Sequence, residues 1–174
     1  MTKKLQVACK FLLITALIAI GLSYLYRNHQ TVPSDLTFKI IDGRQLSLEK
    51  YRGKLVLIDF WSTNCASCIK ELPDLIALYN EFSLEGFEII GVAMPYDRPD
   101  LILQSAEKHK IPYPVSLDLD GEITQAFGGV QFTPTHFLIA PDGKIVDHII
   151  GTIDPVKLRD KIKSLLPHQP LVQL

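Results

Sequence analysis

The sequence predicts a three-layer α/β sandwich with one membrane-spanning helix ahead of it. Two near-continuous apolar runs, 55–61 and 87–93, are typical of buried strands, and a helical pattern follows each of them. Strand–helix alternation of this kind predicts parallel strands joined by right-handed crossovers. A strong turn signal at 141–144 then predicts a late antiparallel hairpin. Together these observations indicate an α/β/α arrangement around a mixed sheet.

The remaining elements follow in chain order from alternation, caps and turns. An Asp42-Gly43 turn between two alternating segments predicts a β-hairpin before the main sheet. Asp154 is a good N-cap, and Pro155 suits the first position of a closing helix. The other strands are expected at 113–117, 135–139 and 144–150. Helices are expected at 65–82, 99–110, 122–127 and 155–166.

The first 27 residues are predicted to form a signal anchor. Residues 1–30 contain four basic residues and no acidic one, and an apolar stretch of about 22 residues would span a bilayer of ~30 Å. A cleaved signal peptide is the alternative, but the stretch ends in bulky residues where a cleavage site should be small. The basic start would stay in the cytoplasm, which places the following domain outside it.

These features divide the chain into four parts. They are an anchor at 1–27, a linker at 28–34, the α/β domain at 35–167 and a tail at 168–174. Residues 31–174 hold 14 basic against 19 acidic residues, which gives no electrostatic footprint for nucleic acid. Three cysteines are too few for a disulfide scaffold, and no Cys or His pair is spaced to complete a zinc site. Cys9 lies in the apolar segment and is interpreted as a buried thiol.

Cys65 and Cys68 lie where the first buried strand meets the first helix. Unsatisfied N–H groups and the helix dipole favour a thiolate at a helix start, so a cysteine there becomes nucleophilic nearer neutral pH. Cys68, one helical turn further on, can close a disulfide with it and release a mixed-disulfide intermediate. The pair therefore predicts a redox-active dithiol.

The motifs around this pair resemble the thioredoxin superfamily. The resemblance is carried by Asp59-Phe-Trp, Cys65-x-x-Cys68, Pro73 and Thr133-Pro134. Tyr-Arg-Gly-Lys at 51–54, Lys-Glu-Leu-Pro at 70–73 and an inserted segment at 95–127 are similar to the membrane-anchored TlpA/ResA/DsbE-like branch. The resemblance covers residues 34–166, nearly all of the chain beyond the linker.

The resemblance implies roles for the cysteines and for the later proline. Cys65 would be the exposed attacking thiol and Cys68 the buried resolving one. Pro134 would be a cis-proline facing the dithiol, which leaves the backbone of Thr133 free to pair with an extended substrate.

Two acids are also implied near the dithiol. Asp59 occupies the place of the buried acid beneath a thioredoxin active site, and Glu71 matches an acid of ResA-like reductases. Either carboxylate could take the proton of Cys68. Trp61 is expected to pack beside the site, where it is counted with Asn64, Thr133 and Pro134 as a candidate substrate-binding residue, or to fill the core. His136, two residues after the proline, is interpreted as an ordinary strand residue.

The sequence departs from the family pattern around the first cysteine. Asn64 stands where a tryptophan or another large residue is usual, and Ala66-Ser67 replaces the common pairs that contain proline. Both changes alter the surface that would meet a substrate and the stabilisation of the Cys65 thiolate. The motif therefore leaves the redox potential open.

The predicted function is reduction of protein disulfides at the outer face of a bacterial cytoplasmic membrane. The resemblance implies protein substrates such as apocytochrome c, electrons from a membrane thiol carrier of the DsbD or CcdA type, and no cofactor besides the Cys65–Cys68 couple. A disulfide-forming oxidase is the first alternative, because the same residues serve both directions. A copper metallochaperone needs wider cysteine spacing and a histidine, and a peroxiredoxin-like peroxidase needs proline where Ile58 stands.

Overall fold

The computed structural model describes residues 12–21, 33 and 35–166, and the chain divides into two compact units, Met1–Thr31 and Val32–Leu174. In the first unit residues 12–21 are helical. Among the described residues, no helix combines the length and the apolar character that crossing a membrane requires. The anchor predicted at 1–27, the linker and the tail fall largely or wholly outside the described residues, so they remain predictions.

The second unit is built on a five-stranded mixed sheet. Its strands are β3 Leu55–Trp61, β4 Phe87–Ala93, β5 Val115–Leu117, β6 Thr135–Ile139 and β7 Ile145–Ile150. They lie in the order β5-β4-β3-β6-β7. The central strand β3 pairs in parallel with β4 and antiparallel with β6. β5 continues the parallel side, and β7 continues the antiparallel side. The mixed sheet predicted from the sequence is confirmed.

Among residues 35–166, four α-helices cover this sheet. They are α1 Ala66–Phe82, α2 Pro99–His109, α3 Glu122–Ala126 and α4 Pro155–Leu165. Asp154 accepts hydrogen bonds from the N–H groups of Val156 and Lys157, so it caps α4 as the sequence indicated. α1 runs through Pro73 to Phe82.

The hairpin before the main sheet forms a separate two-stranded sheet, β1 Thr37–Lys39 and β2 Gln45–Ser47. Gly43 closes its turn with a φ of 87°, a backbone conformation that glycine adopts without steric cost. A bridge between Ile40 and Ser116 joins the hairpin to the β5 edge.

Every residue of β3 is buried because the strand has a core on each face. Its even-numbered residues Val56, Ile58 and Phe60 lie in one core cluster. Their partners in this cluster include Phe38 of the hairpin, Ile123 of α3, Phe127 directly after α3, and Phe137 of β6. Its residues Leu55 and Leu57 pack under α1 and α4, in a cluster that includes Leu75, Leu78, Leu138, Leu158 and Ile162. This alternation means that Asp59 points to the face covered by α1.

Candidate active site

Cys65 is the N-cap of α1, and it is joined to Cys68 by a disulfide. The N–H group of Cys68 donates to the Cys65 sulfur at 3.1 Å. The hydroxyl of Ser67 lies 3.3 Å from the same sulfur, so the unusual Ala-Ser pair gives Cys65 a second polar neighbour. Cys65 is half-buried whereas Cys68 is only 1% exposed. An incoming molecule therefore reaches Cys65 first.

The loop that leads into Cys65 is held by a buried acid, Asp97, which follows β4. Its carboxylate accepts the N–H of Thr63 at 2.5 Å and the Thr63 hydroxyl at 2.7 Å. It also accepts the N–H of Arg98 at 2.9 Å. Burial on its own raises the pKa of Asp97, but the hydrogen bonds, chiefly those from Thr63, outweigh it and hold the pKa below its ordinary value. Sequence reasoning did not identify this residue.

The Thr133-Pro134 peptide bond is cis, as the resemblance implied. Thr133 and Cys65 line the same open groove. The groove is lined by Ser62, Asn64, Cys65, Ala66, Ser67, Tyr96 and Thr133. Two aromatic side chains are largely exposed here. Tyr96, which is 63% exposed, lines the groove, and Phe132, which is 66% exposed, directly precedes Thr133.

The predicted site residues thus fall into an outer and an inner group. Asn64 and Thr133 line the groove, so they lie where a substrate would contact the protein. Trp61 is 1% exposed and packs with Cys68 in the core, with its indole nitrogen against Gly91. Trp61 therefore packs in the core beside the dithiol, and it is not among the residues that line the groove, so a direct contact between Trp61 and a substrate is not supported.

The inner group centres on His136, which the sequence interpretation had set aside. Asp59 of β3 and His136 of β6 are direct cross-strand partners, and both point to the face covered by α1. Glu71 reaches the same place from α1. The exposed fractions of His136, Asp59 and Glu71 are 0%, 1% and 5%. The interpretation of His136 as an ordinary strand residue was wrong, because the sheet register brings it against both acids.

The His136 imidazole lies between the two carboxylates. Its Nδ1 is 3.2 Å from Asp59 Oδ1, and its Nε2 is 3.3 Å from Glu71 Oε1. These separations are those of ion pairs, although neither N–H points straight enough at its oxygen to form a well-aligned hydrogen bond. Burial on its own lowers the pKa of His136, but the contacts with Asp59 and Glu71 outweigh it and raise the pKa to about 9.

Two further groups complete the surroundings of this cluster. The second oxygen of Glu71 accepts the N–H of Ile153 at 3.2 Å, which ties α1 to the segment before α4. The hydroxyl of Tyr113 is buried and has no hydrogen-bond partner among the described residues. Burial, aided by the charges of Asp59 and Glu71, holds the pKa of Tyr113 well above its ordinary value, so the hydroxyl stays neutral.

The cluster has the residue types of a metal site but not the arrangement. Asp59, Glu71 and His136 each offer one ligand atom, and these atoms lie within 4.8 Å of one another. However, the two carboxylates face opposite nitrogens of one ring, and a single ion cannot bind both nitrogens of an imidazole. The geometry is that of a charge-paired triad.

Sequence patterns held a signal for this triad. His136 is the one ionisable residue of β6, and Asp59 is the one ionisable residue of β3. A buried polar side chain needs a partner, and each of these strands carried one candidate. What the sequence did not supply was the antiparallel register that sets the two residues opposite each other.

Comparison with protein families matches residues 29–148 to the AhpC/TSA family. Curated relatives include the thiol-disulfide oxidoreductase ResA of Bacillus thuringiensis subsp. konkukian, which is 33% identical over 128 residues, 73% of this chain and 72% of that protein. ResA of Bacillus subtilis is 31% identical over 126 residues, 72% of this chain and 69% of that protein. The resemblance of the sequence motifs to ResA-like thiol–disulfide oxidoreductases is confirmed.

Solved structures show the same fold. The thioredoxin domain of a thiol-disulfide oxidoreductase from Bacteroides vulgatus superposes with a TM-score of 0.66 at 27% identity, over 79% of this chain and 98% of that one. A thiol:disulfide interchange protein from Chlorobium tepidum superposes with a TM-score of 0.72 at 24% identity, over 79% of this chain and 97% of that one. The thioredoxin-like α/β fold expected for the domain is confirmed.

Proposed function

Given that the chain belongs to the AhpC/TSA family and is a thiol–disulfide oxidoreductase of the ResA type, we propose that it reduces protein disulfides through Cys65 and Cys68. The observation that carries this proposal is the contrast in access between the two sulfurs. Cys65 opens onto a groove at the start of a helix, whereas Cys68 is closed off behind it. The first sulfur is placed to attack and the second to resolve.

The reaction has two exchanges. The Cys65 thiolate attacks one sulfur of the substrate disulfide, the substrate S–S bond breaks, and a mixed disulfide forms. The Cys68 thiolate then attacks the Cys65 sulfur, which forms the bond seen in the structure and releases the second substrate thiol. Two electrons pass to the substrate, whose two sulfurs leave as thiols. The dithiol itself is the redox group, and no other cofactor is needed.

The inner acids would serve the second exchange. Cys68 is buried and needs a base before it can attack. Glu71 lies one turn further along α1, and Asp59 lies on the strand beneath that helix, which supports a carboxylate of this pair as the group that would receive the proton. We assign Asp59 and Glu71 this role jointly.

The groove would hold the substrate as an extended segment. The backbone of Thr133, next to the cis-proline Pro134, would pair with that segment beside Cys65. Tyr96 and Phe132 would add apolar contacts, since both are largely exposed at this face. Asn64 is smaller than the residue usual in the family, so the groove is open beside the attacking sulfur.

The proposed setting is the outer face of a bacterial cytoplasmic membrane. The apolar, basic N-terminal segment would anchor the domain by a single pass. The oxidised enzyme would regain electrons from a membrane thiol carrier of the DsbD or CcdA type. Apocytochrome c, with its pair of haem-site cysteines, is a suitable substrate class.

Replacement of Cys68 by alanine should convert the protein into a substrate trap. Cys65 can still attack, but the mixed disulfide cannot be resolved, so covalent complexes should accumulate in cells that express the full-length variant. Non-reducing gels followed by mass spectrometry would identify them. Cys65→Ala is the matched control and should trap nothing. Equal trapping by both variants would contradict the assigned roles.

The reduction potential of the Cys65–Cys68 couple tests the direction of electron flow. For a reductase we expect a value near that of thioredoxin, about −270 mV, measured by equilibration of the full-length chain with a thiol buffer. A value near that of the strong oxidant DsbA, about −120 mV, would overturn the proposal and favour disulfide formation instead.

A further inference from the structure

We infer that His136 is a positioning residue that holds Asp59 and Glu71 and offsets one of their two charges, so that Cys68 can ionise above them. This inference rests on the proposed function, because it concerns the step in which Cys68 resolves the mixed disulfide. The imidazole contacts the two carboxylates and acts on Cys68 through them.

The position of the imidazole ring joins the three groups into one unit. Each nitrogen faces a different carboxylate oxygen, at 3.2 and 3.3 Å. A neutral imidazole has one N–H and one bare nitrogen, and ionised carboxylates only accept. Both contacts are therefore favourable only when the three groups share one extra proton. Ring and acids form a single unit with a net charge of −1 in place of two separate buried charges.

This unit lies on the same side of the sheet as Cys68. Cys68 and Glu71 are three residues apart on α1, which places both on one side of the helix, and both are buried. Asp59 and Trp61 share one face of β3, and Trp61 packs against Cys68. Cys68 and the unit therefore occupy the same layer, between β3 and α1. A thiolate that forms there meets the charge of the unit without solvent screening.

The other ionisable groups on this face do not replace His136. Among residues 35–166, the groups around it from the neighbouring elements are Asp59 of β3, Glu71 and Cys68 of α1, Tyr113 before β5, and the ion pair of Asp147 in β7 with Lys161 in α4. Tyr113 is held neutral, and Lys161 is engaged by Asp147 at 2.7 Å. His136 is the cation that contacts the two acids.

Resolution by Cys68 combines one proton transfer with one exchange of sulfur–sulfur bonds. The Cys68 S–H proton passes to a carboxylate of the unit as the Cys68 sulfur attacks Cys65. The bond between the two cysteine sulfurs forms while the bond from Cys65 to the substrate sulfur breaks. The departing substrate thiolate takes a proton from water, and the unit later returns its own proton to water. Without the ring charge, the new thiolate would form beside the remaining ionised carboxylate with no cation to offset it.

His136→Gln tests this inference, because glutamine keeps a polar side chain and removes the charge. The reduced full-length protein is mixed with dithionitrobenzoate, an aryl disulfide that releases one coloured thiolate when Cys65 attacks and a second when Cys68 resolves. We expect the pH midpoint of the second phase to rise by about one unit, and its rate near pH 7 to fall about tenfold. The first phase should keep its pH profile.

His148→Gln is the matched control, since His148 lies on the adjacent strand β7 and its ring stacks on Phe137, in the opposite core. This control should match the wild type in both phases. Three results would overturn the inference: a second phase unchanged in His136→Gln, an equal shift in both phases, or the same shift in His148→Gln. Failure of the wild type to release the second thiolate would instead contradict the proposed function.

A measurement on the wild type keeps the inference testable if the variant does not fold. Nitrogen-15 NMR of histidine-labelled, oxidised protein distinguishes an imidazolium from either neutral tautomer. We expect both ring nitrogens of His136 to be protonated at about pH 7.5, since the acids raise its pKa to about 9. A neutral ring at that pH would refute the inference.

Discussion

Replacement of His136 by leucine is expected to lower the free energy of unfolding at pH 7 by about 3–5 kcal/mol. The substitution leaves Asp59 and Glu71 in the core without a cation, and a buried charge that loses its partner is strongly destabilising. Chemical denaturation of the full-length chain would measure the loss. Adding Asp59→Asn and Glu71→Gln to the same variant should recover most of it, because no uncompensated charge remains. A triple variant as unstable as the single one would show that packing, not charge, is responsible.

The stability that His136 contributes should depend on pH in a defined direction. Its pKa is raised from 6.5 to about 9 by folding, so its contribution is complete below about pH 6.5 and is lost as the pH rises through 9. The corresponding free energy is about 3 kcal/mol. The wild type should therefore lose stability between these pH values, and the His136→Leu variant should lose less. Parallel curves for the two proteins would contradict the assignment of the charge.

Replacement of Asp97 by alanine is expected to cost about 2–4 kcal/mol and to slow attack by Cys65 about tenfold. The change leaves the N–H and hydroxyl of Thr63 without the acceptor that holds them. The loop before Cys65 then loses its attachment to the segment after β4. Denaturation curves and the first phase of the dithionitrobenzoate reaction would measure the two effects.

Asp100→Ala is the matched control for Asp97. Asp100 lies three residues further on and pairs with Arg98 at the surface, where solvent screens the pair, so its loss should leave the free energy of unfolding close to that of the wild type. Because the pKa of Asp97 is lowered by folding, its contribution should be present at neutral pH and lost as the pH falls below about 4. An Asp97→Ala protein with wild-type stability at pH 7 would refute this role.

Most of the domain architecture could be predicted from local sequence patterns. The buried strands are apolar runs, the turns carry Asp-Gly pairs, and the last helix has its own cap and proline. These signals span only a few residues, so they can be recognised in the sequence without knowledge of the fold. The short strands were less well placed: β5 begins at Val115, two residues after the predicted start, and Tyr113 packs in the core ahead of it.

The outer site was also predictable, whereas the inner site was not. Cys65, Cys68 and Pro134 belong to compact motifs: the two cysteines are joined by a disulfide, the Thr133-Pro134 bond is cis, and Thr133 lines the same groove as Cys65. His136 and Asp59 are far apart in the chain, and their contact depends on which residue of β6 faces which residue of β3. Asp97 was missed for a similar reason, since its partner Thr63 lies on a different loop.

The pairing of Asp59 with His136 makes the active site sensitive to how the strands align during folding. A slip of β6 by one residue against β3 would turn His136 towards the aromatic side of the sheet and bring Phe137 towards the acids. Such a misaligned chain would bury two unmatched carboxylates and would be poorly stable. Correct alignment and a working proton-transfer site therefore arise together, so a misfolded molecule with a half-active dithiol is not expected to persist.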